Sequence, residues 1–320
     1  MVDRPKKPTS LNPSARSSAP QPTVDISDDR VTATLPTGES VSILLYGATV
    51  ISWKTASGAE NLWVSEKAAL DGSKPVRGGI PIVFPVFGPP PKEGPTSKLP
   101  QHGFARSTRW EFLGKSSSEG EAQGQGSGDE SVKLDFGLYG AGLDESVKSK
   151  WPYEFGLVYS VTLGREGLMT VLNVRNEGDE GWEFQMLLHT YLRIDDISKT
   201  TISGLGSATY IDKVLDATTH TQSTPTLSIT SEVDRVYTGL KQDTTSVLAD
   251  GKPRLDVVRD NLEDTVVWNP WREKANAMGD FAPKDGYKQM VCVEVGSVAG
   301  WQRLEPGETF EGGMMMRSYV

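Results

Sequence analysis

Short segments of alternating apolar and polar residues, separated by turn residues, run through most of this 320-residue chain. The 33 glycines and 20 prolines supply the turns, whereas long stretches with the 3.6-residue period of a helix are scarce. This pattern predicts an antiparallel all-β sandwich in one domain. The predicted strands are 31–35, 41–45, 48–53, 61–64, 108–113, 132–138, 157–163, 168–176, 182–194, 265–268, 289–295 and 307–319.

Charge and cysteine content exclude several classes of protein. The net charge is −9 and no long basic stripe is present, which disfavours nucleic-acid or anionic-membrane binding as the main role. The single cysteine, Cys292, excludes an internal disulfide framework. The most apolar stretch near the N-terminus, residues 80–87, is too short to span a bilayer and contains two prolines. We expect a monomeric cytoplasmic protein that binds neither nucleic acid nor membrane.

Two polar segments are not expected to join the fold. Residues 1–22 are rich in Pro, Ser, Lys and Arg and have little apolar surface to bury, so they predict a disordered N-terminal tail. A transit peptide is the alternative, which the four prolines of the segment disfavour. The Gly/Ser-rich segment 114–130 lies between two predicted strands and indicates a flexible loop insertion. The predicted domain therefore comprises residues 23–320.

His189 lies within the predicted strand 182–194. The period of two places four large apolar residues on one face of this strand and His189 with Tyr191 on the other. His189 is either a partly exposed sheet histidine bonded to a neighbour or a proton donor lining a cleft, since imidazole titrates near neutral pH. The other histidines, His102 and His220, form no metal-binding motif with it, so no metal site is expected.

Glu294 is the only charged residue in the apolar segment 290–295. Alternation places it on one face with Met290 and Cys292, opposite three valines. Burying a carboxylate in apolar surroundings costs free energy unless the carboxylate is paired with a cation or has a role in catalysis. Desolvation would raise its pKa, which suits a general base that works near neutral pH. The alternative is a carboxylate at a strand end, solvated or paired with an arginine.

A third group of candidate residues lies in two turn-like segments. Arg77 precedes two glycines, which let the backbone and its side chain approach a ligand closely. The segment 99–106 contains Gln101, His102 and Arg106. The planar guanidinium group matches two oxygens of a phosphate or a carboxylate. The alternative is that both arginines form surface ion pairs.

Four sequence blocks together resemble the aldose 1-epimerase (mutarotase) superfamily, and they occur in order as Arg77-Gly-Gly-Ile-Pro-Ile-Val-Phe-Pro, Leu99-Pro-Gln-His-Gly-Phe-Ala-Arg106, Leu188-His-Thr-Tyr191 and Val293-Glu-Val295. The chain after the tail most closely resembles the D-hexose-6-phosphate mutarotase branch, the glucose-6-phosphate 1-epimerases of fungi and plants. The resemblance implies a galactose-mutarotase-like antiparallel β-supersandwich with the sugar on a concave sheet face. It also implies cofactor-independent interconversion of the α and β anomers of hexose 6-phosphates.

The resemblance implies roles for individual residues. His189 would be the catalytic acid and Glu294 the catalytic base. The substrate-binding positions would be Arg77, Gln101, His102, Arg106 and Asp234, of which Asp234 belongs to the shorter match at 233–237. Leu188 stands where galactose mutarotases usually have Asn, which weakens the case for free galactose as the substrate. Three tryptophans are candidates for stacking on a sugar, namely Trp53, Trp268 and Trp271.

Ring opening needs a base at the C1 hydroxyl and an acid at the ring oxygen, and we expect His189 and Glu294 on opposite sides of that unit. Three other activities stay open. The first is an aldose 1-epimerase for unphosphorylated sugars, and the second is a non-catalytic carbohydrate-binding or sensor protein. The third is a glycoside hydrolase, which needs two carboxylates, and Glu183 is the nearest candidate partner on the His189 face.

Overall fold

The computed structural model describes residues 20–117 and 131–320, and these ranges form twenty-one strands and two short α-helices. The first strands are β1 (Thr23–Ile26), β2 (Arg30–Thr34), β3 (Ser40–Leu44), β4 (Val50–Lys54), β5 (Ile82–Val83), β6 (Glu111–Ser117), β7 (Ser131–Tyr139), β8 (Phe155–Gly164), β9 (Gly167–Asn176) and β10 (Trp182–Leu188). The others are β11 (Tyr191–Arg193), β12 (Thr200–Ser203), β13 (Thr209–Asp212), β14 (Thr218–Thr221), β15 (Thr226–Ser228), β16 (Val233–Thr238), β17 (Thr244–Ala249), β18 (Lys252–Asp260), β19 (Asp264–Asn269), β20 (Met290–Leu304) and β21 (Thr309–Ser318). The helices are α1 (Glu145–Lys148) and α2 (Trp271–Ala277).

The strands form three antiparallel sheets. Strands β1 to β4 make a small sheet in sequence order. An eight-stranded sheet has the order β14-β13-β16-β19-β20-β10-β5, with β11 also paired to β20. A nine-stranded sheet has the order β15-β12-β17-β18-β21-β9-β8-β7-β6. The predicted antiparallel all-β architecture is confirmed.

One main hydrophobic core joins the three sheets. It contains Phe184 and Val293 from the eight-stranded sheet, Tyr159 and Leu172 from the nine-stranded sheet, and Val41 from the small sheet. All five side chains are almost fully shielded from solvent. Burial of this much apolar surface is the main term that holds antiparallel layers together.

The eight-stranded sheet also buries residues on its other face, which is the face that carries the site. On β20 the three alternate valines, at 291, 293 and 295, belong to the main core. Met290 and Cys292 point the other way, into a second cluster that also contains Tyr191 and Trp268. The predicted faces of β20 are therefore confirmed. A third cluster on this second face contains Leu187 of β10.

Some predicted boundaries were wrong. Residues 61–64 form only isolated bridges, from Leu62 to Leu192 and from Val64 to Gly78, because this segment crosses between sheets rather than pairing along one. Strand β6 pairs with β7 as far as Ser117, so residues 114–117 are strand and not loop. The rest of the predicted insertion, 118–130, lies outside the described residues, as does 1–19 of the predicted tail. No helix among the described residues is long and apolar enough to cross a membrane.

Candidate active site

The pairing of β10 and β11 with β20 brings His189 beside Glu294. Leu188 lies opposite Val295, and Tyr191 lies opposite Cys292 in the same unbroken register. His189, between these pairs, therefore faces Glu294 across the two strands. On the other side of β20, Glu294 pairs with Val266 of β19. The sheet thus places two residues that are 105 positions apart in one cross-strand row.

The two side chains lie together on the floor of one cavity. His189 Nδ1 is 3.4 Å from Glu294 Oε1, but the geometry is not that of a hydrogen bond, and Nδ1 and Glu294 Oε2 have no hydrogen-bond partner within the described residues. The imidazole stacks on the Tyr191 ring, with centroids 4.7 Å apart and planes 9° from parallel. The structure therefore contradicts the expectation of opposite sides. Because O1 and O5 are both bonded to C1, a side-by-side pair still reaches both oxygens.

Burial shifts both members of the pair towards their neutral forms. It raises the pKa of Glu294 well above its usual range, and Asp234 adds to the effect while Lys213 opposes it. Burial also lowers the pKa of His189 well below its usual range, and the charges of His102 and Arg106 act in the same direction. The exposed or arginine-paired alternatives for these two residues are excluded.

The protonation of the pair is its chemically useful feature. Both shifts favour the uncharged forms, a carboxylic acid at Glu294 and a neutral imidazole at His189, whereas the family resemblance gives the donor role to His189. For two groups in contact, the proton count belongs to the pair rather than to either residue. One mobile proton on adjacent carboxyl and imidazole groups supplies a donor and an acceptor whichever group holds it first.

Arg77 is held at the edge of the cavity by a tight turn. Gly78 and Gly79 have φ of +131° and +67°, and a Cβ on either would lie within 2.4 Å of backbone atoms. Only glycine fits such a turn. The guanidinium group donates to Asp280 Oδ2 from Nε at 3.1 Å and to the Tyr191 hydroxyl at 3.2 Å. Arg77 is therefore a partly neutralised cation pointing into the cavity rather than a surface ion pair.

His102 occupies a strained turn on the opposite wall. Its φ is +66°, a left-handed conformation that few non-glycine residues adopt. Its Nδ1 accepts a hydrogen bond from the Gly88 N–H at 3.2 Å, and its ring lies 5.7 Å from that of His189. Burial lowers the pKa of His102 to about 2, helped by the charges of Arg106, Lys213 and Arg77. The neutral ring then presents Nε2–H towards the cavity and Gln101.

Arg106 lies behind the wall that Gln101 forms. Its guanidinium group donates to the Gln101 carbonyl oxygen at 2.9 Å, and its Nε has no hydrogen-bond partner within the described residues. Arg106 does not line the cavity, yet its positive charge lowers the pKa of both His102 and His189, so it lies near them.

The cavity has a volume of about 300 Å³. Six of the seven predicted site residues line it, namely Arg77, Gln101, His102, His189, Asp234 and Glu294. Of the tryptophan candidates, Trp268 lines it, whereas Trp53 is buried in the main core and Trp271 packs on Tyr287. Glu183 is exposed and does not line the cavity, so the carboxylate pair of a glycoside hydrolase is not formed with it.

Sequence reasoning missed two lysines of the cavity. Lys213 Nζ lies 3.7 Å from Asp234 Oδ1 and 4.5 Å from the centroid of the Phe87 ring. Lys274 of α2 forms an ion pair of 2.7 Å with Glu232. No strand was predicted near residue 213 and no helix near 274, so the sequence contained no signal that would have placed either lysine.

A profile of the aldose 1-epimerase family matches residues 29–317 of the chain. This protein belongs to the aldose 1-epimerase family. The epimerase is 33% identical over 273 residues to a protein of Cenchrus ciliaris named "Putative glucose-6-phosphate 1-epimerase", with 84% of this chain and 78% of that protein covered. It is 34% identical over 264 residues to an Escherichia coli protein of the same name, with 82% and 81% covered.

Solved structures agree with this family assignment. A "putative mutarotase" from Salmonella typhimurium superposes on the epimerase with a TM-score of 0.75 and 27% identity, covering 93% of this chain and 94% of that one. A galactose mutarotase related enzyme from Lactobacillus acidophilus shares the fold, with a TM-score of 0.65, 17% identity and coverage of 94% and 98%. The predicted galactose-mutarotase-like fold is confirmed, and the chain is an isomerase that acts on a small sugar.

Buried neutral His102 makes the stability of the epimerase sensitive to acid. In the unfolded chain its pKa returns to about 6.5, so below that pH the unfolded state binds one proton more and stability falls as the pH falls. Between pH 7 and pH 5 we expect His102 to account for a loss on the order of 2 kcal/mol in the free energy of unfolding.

Urea unfolding of wild type and His102→Asn at pH 7, 6 and 5 measures this contribution. The free energy of unfolding of His102→Asn should depend less steeply on pH than that of wild type. Gln101→Ala, which changes the exposed residue next to His102, should show the same pH dependence as wild type. Parallel pH dependences for wild type and His102→Asn would contradict the assignment.

Proposed function

We propose that the epimerase interconverts the α and β anomers of hexose 6-phosphates, with glucose 6-phosphate as its substrate. The observation that carries this proposal is a sugar-sized cavity with the His189–Glu294 pair on its floor and three cationic side chains around it. The cations are Arg77, Lys213 and Lys274, and Asp234 is the carboxylate that faces them besides Glu294. The names of the plant and bacterial relatives support the same substrate.

The reaction involves proton transfers and the reversible opening of the C1–O5 bond, with no change of oxidation state and no group passed to another molecule, and therefore needs no cofactor. The group of the pair that is free of the mobile proton accepts the proton of the C1 hydroxyl, while its protonated neighbour donates to the ring oxygen O5. The C1–O5 bond breaks and C1 becomes an aldehyde carbon. Rotation about C1–C2 exposes the other face, and the O5 hydroxyl adds back as the two proton transfers reverse. The pair then holds one proton again, as at the start.

The site offers partners for a phosphate on the far end of the sugar. Arg77 is fixed by Asp280 and Tyr191, so its remaining N–H groups are oriented before a ligand arrives. Arg106 does not line the cavity, but its buried Nε–H has no hydrogen-bond partner within the described residues, so a shift of Gln101 on ligand binding would open it to the phosphate. The guanidinium groups of Arg77 and Arg106 carry two positive charges against the single carboxylate of Asp280, and this excess favours a dianion. We infer that Arg77 and Arg106 hold the 6-phosphate.

The position of His189 and Glu294 argues against a non-catalytic sugar-binding protein. A purely binding site gains nothing from two buried, unpaired titratable groups, which cost free energy in the unliganded state. Their burial is explained when they exchange protons with the substrate.

Arg106→Gln should separate hexose 6-phosphates from free hexoses. We expect kcat/KM for glucose 6-phosphate to fall by about 10- to 100-fold, because hydrogen bonds to charged groups contribute about 1.5–3 kcal/mol. Exchange of glucose anomers should change less than about threefold. Saturation-transfer NMR on both sugars measures the two rates.

Arg303→Gln is the matched control, because it removes an exposed arginine that pairs with Glu305 outside the cavity. It should leave both rates unchanged. If wild type exchanges glucose as efficiently as glucose 6-phosphate, the enzyme is an aldose 1-epimerase for unphosphorylated sugars and the phosphate assignment is wrong.

A further inference from the structure

A thiol lies beneath the acid–base pair and takes no part in the proposed chemistry. Cys292 is two residues before Glu294 on β20, so both side chains point to the same face of the sheet. One donor atom from each of His189, Cys292 and Glu294 lies within 4.8 Å of the other two. In the part of the chain that the structure describes, no other group of histidine, cysteine and acidic residues meets this criterion.

The spacing of these atoms matches tetrahedral zinc coordination. Zn–N and Zn–O bonds of about 2.0–2.2 Å place the two ligand atoms about 3.3–3.5 Å apart on a tetrahedron. The observed separation of His189 Nδ1 and Glu294 Oε1 is 3.4 Å, and the two atoms are not hydrogen-bonded to each other. A Zn–S bond of about 2.3 Å requires the sulfur about 3.6 Å from each of the other two ligand atoms, and because the present separations are within 4.8 Å, each has to shorten by about 1.2 Å at most.

The chemistry of the three donors selects the metal. A thiolate, an imidazole and a carboxylate form a mixed S/N/O set that suits Zn²⁺ rather than Mg²⁺ or Ca²⁺, which prefer oxygen ligands alone. One thiolate and one carboxylate also neutralise a divalent cation, which lowers the cost of burying it. Two of the nearby cations are already paired, Arg77 with Asp280 and Lys213 with Asp234.

An ion has a route to this position. His189 and Glu294 line the cavity, so Zn²⁺ enters from the side that the sugar uses. Cys292 lies on the same face one residue pair further along β20, opposite Tyr191. Three protein ligands leave the fourth tetrahedral position open towards the cavity, where a water molecule or a sugar hydroxyl completes the coordination.

We propose that His189, Cys292 and Glu294 bind Zn²⁺ and that the bound ion inhibits the epimerase reversibly. On binding, the thiol proton of Cys292 leaves to solvent as the Zn–S bond forms. Any proton on Glu294 leaves in the same way, and no atom changes oxidation state. The inhibition part rests on the proposed function, since His189 Nδ1 and the Glu294 carboxylate cannot exchange protons with a sugar while they ligate the ion. The binding part does not depend on it.

The test begins with EDTA-treated protein and measures binding apart from activity. Zn²⁺ is titrated by calorimetry, and Co²⁺ is titrated as a spectroscopic probe whose thiolate charge-transfer band reports a metal–sulfur bond. Wild type should bind one equivalent and show this band. Cys292→Ser should lose the band, bind Zn²⁺ at least tenfold more weakly and keep the metal-free rate of anomer exchange. His220→Asn, which removes a histidine far along the sheet on β14, should bind as wild type does.

Activity assays complete the test. Zn²⁺ should inhibit wild type at the concentration at which it binds, and at least tenfold more should be required for Cys292→Ser. Absence of stoichiometric binding, or equal binding and inhibition in both proteins, overturns the proposal. Metal binding through Cys292 in a protein without catalysed exchange overturns the proposed function and supports the site. Cys292→Ala replaces Cys292→Ser if thermal unfolding shows that the serine variant is not folded.

Discussion

Replacing His189 with Asn, or Glu294 with Gln, should lower kcat for anomer exchange of glucose 6-phosphate by about 10²–10⁴-fold each. Both side chains are buried on the cavity floor, with 3.4 Å between His189 Nδ1 and Glu294 Oε1, so loss of either group leaves the other without a partner for proton transfer. The double variant should be little slower than the slower single variant, because the two groups act as one unit. Saturation-transfer NMR, corrected for spontaneous mutarotation, measures the rates.

The control is Glu183→Gln, which removes an exposed carboxylate from β10, the strand that directly precedes His189. It should exchange anomers at the wild-type rate. Far-UV circular dichroism and thermal unfolding should show that the two site variants are folded. Wild-type exchange in a folded His189→Asn or Glu294→Gln variant would show that the pair does not carry out the reaction.

The largest effect on stability is expected from Phe84→Ala, at about 3–5 kcal/mol in the free energy of unfolding. Phe84 is fully buried and lies at the centre of an aromatic cluster. Five rings have their centroids 5.5–6.3 Å from its own, those of Phe104, Trp151, Phe155, Trp182 and Phe184. Truncation to alanine leaves a cavity that these rings, held on β8, on β10 and in two loops, cannot fill.

Urea unfolding followed by tryptophan fluorescence measures this loss. Trp301→Ala is the control, since Trp301 is 41% exposed and its removal should change stability by about 0.5 kcal/mol or less. A loss below about 1 kcal/mol for Phe84→Ala would show that the cluster repacks. The cluster also supports the Phe84–Gly103 bridge beside His102, so a weakened site should accompany the lost stability.

The sequence was informative where strands are long and half-buried. Strands β2, β3, β7, β8, β9 and β21 lie at predicted positions. The predicted strand 289–295 is only the first part of β20, which continues to Leu304, and the predicted strand 182–194 divides into β10 and β11. In β12 to β18, by contrast, Thr, Ser and charged residues occupy both faces of short strands, and no strand was predicted between residues 195 and 264. Such strands form because adjacent strands supply hydrogen bonds to them, and the local sequence pattern does not show which strands are adjacent.

The functional residues divide in the same way. The alternation in 182–191 and 290–295 predicted that His189 and Glu294 point away from the main core, and the clusters of their neighbours agree with this. Lys213 and Lys274 carried no such pattern, because Lys213 directly follows β13 and Lys274 lies within α2, two elements that the sequence did not predict. Asp280, which fixes Arg77, comes from a loop 203 positions away and shows no motif.

The amino-acid pattern was enough to predict antiparallel sheets and a histidine and a glutamate that point away from the main core, because side chains alternate along any strand. The fold was needed to show that β10 and β20 are neighbours in the register that sets His189 against Glu294, with Cys292 on the same face of β20. That register depends on hydrogen bonds and packing between segments about a hundred residues apart, and no local periodicity encodes them.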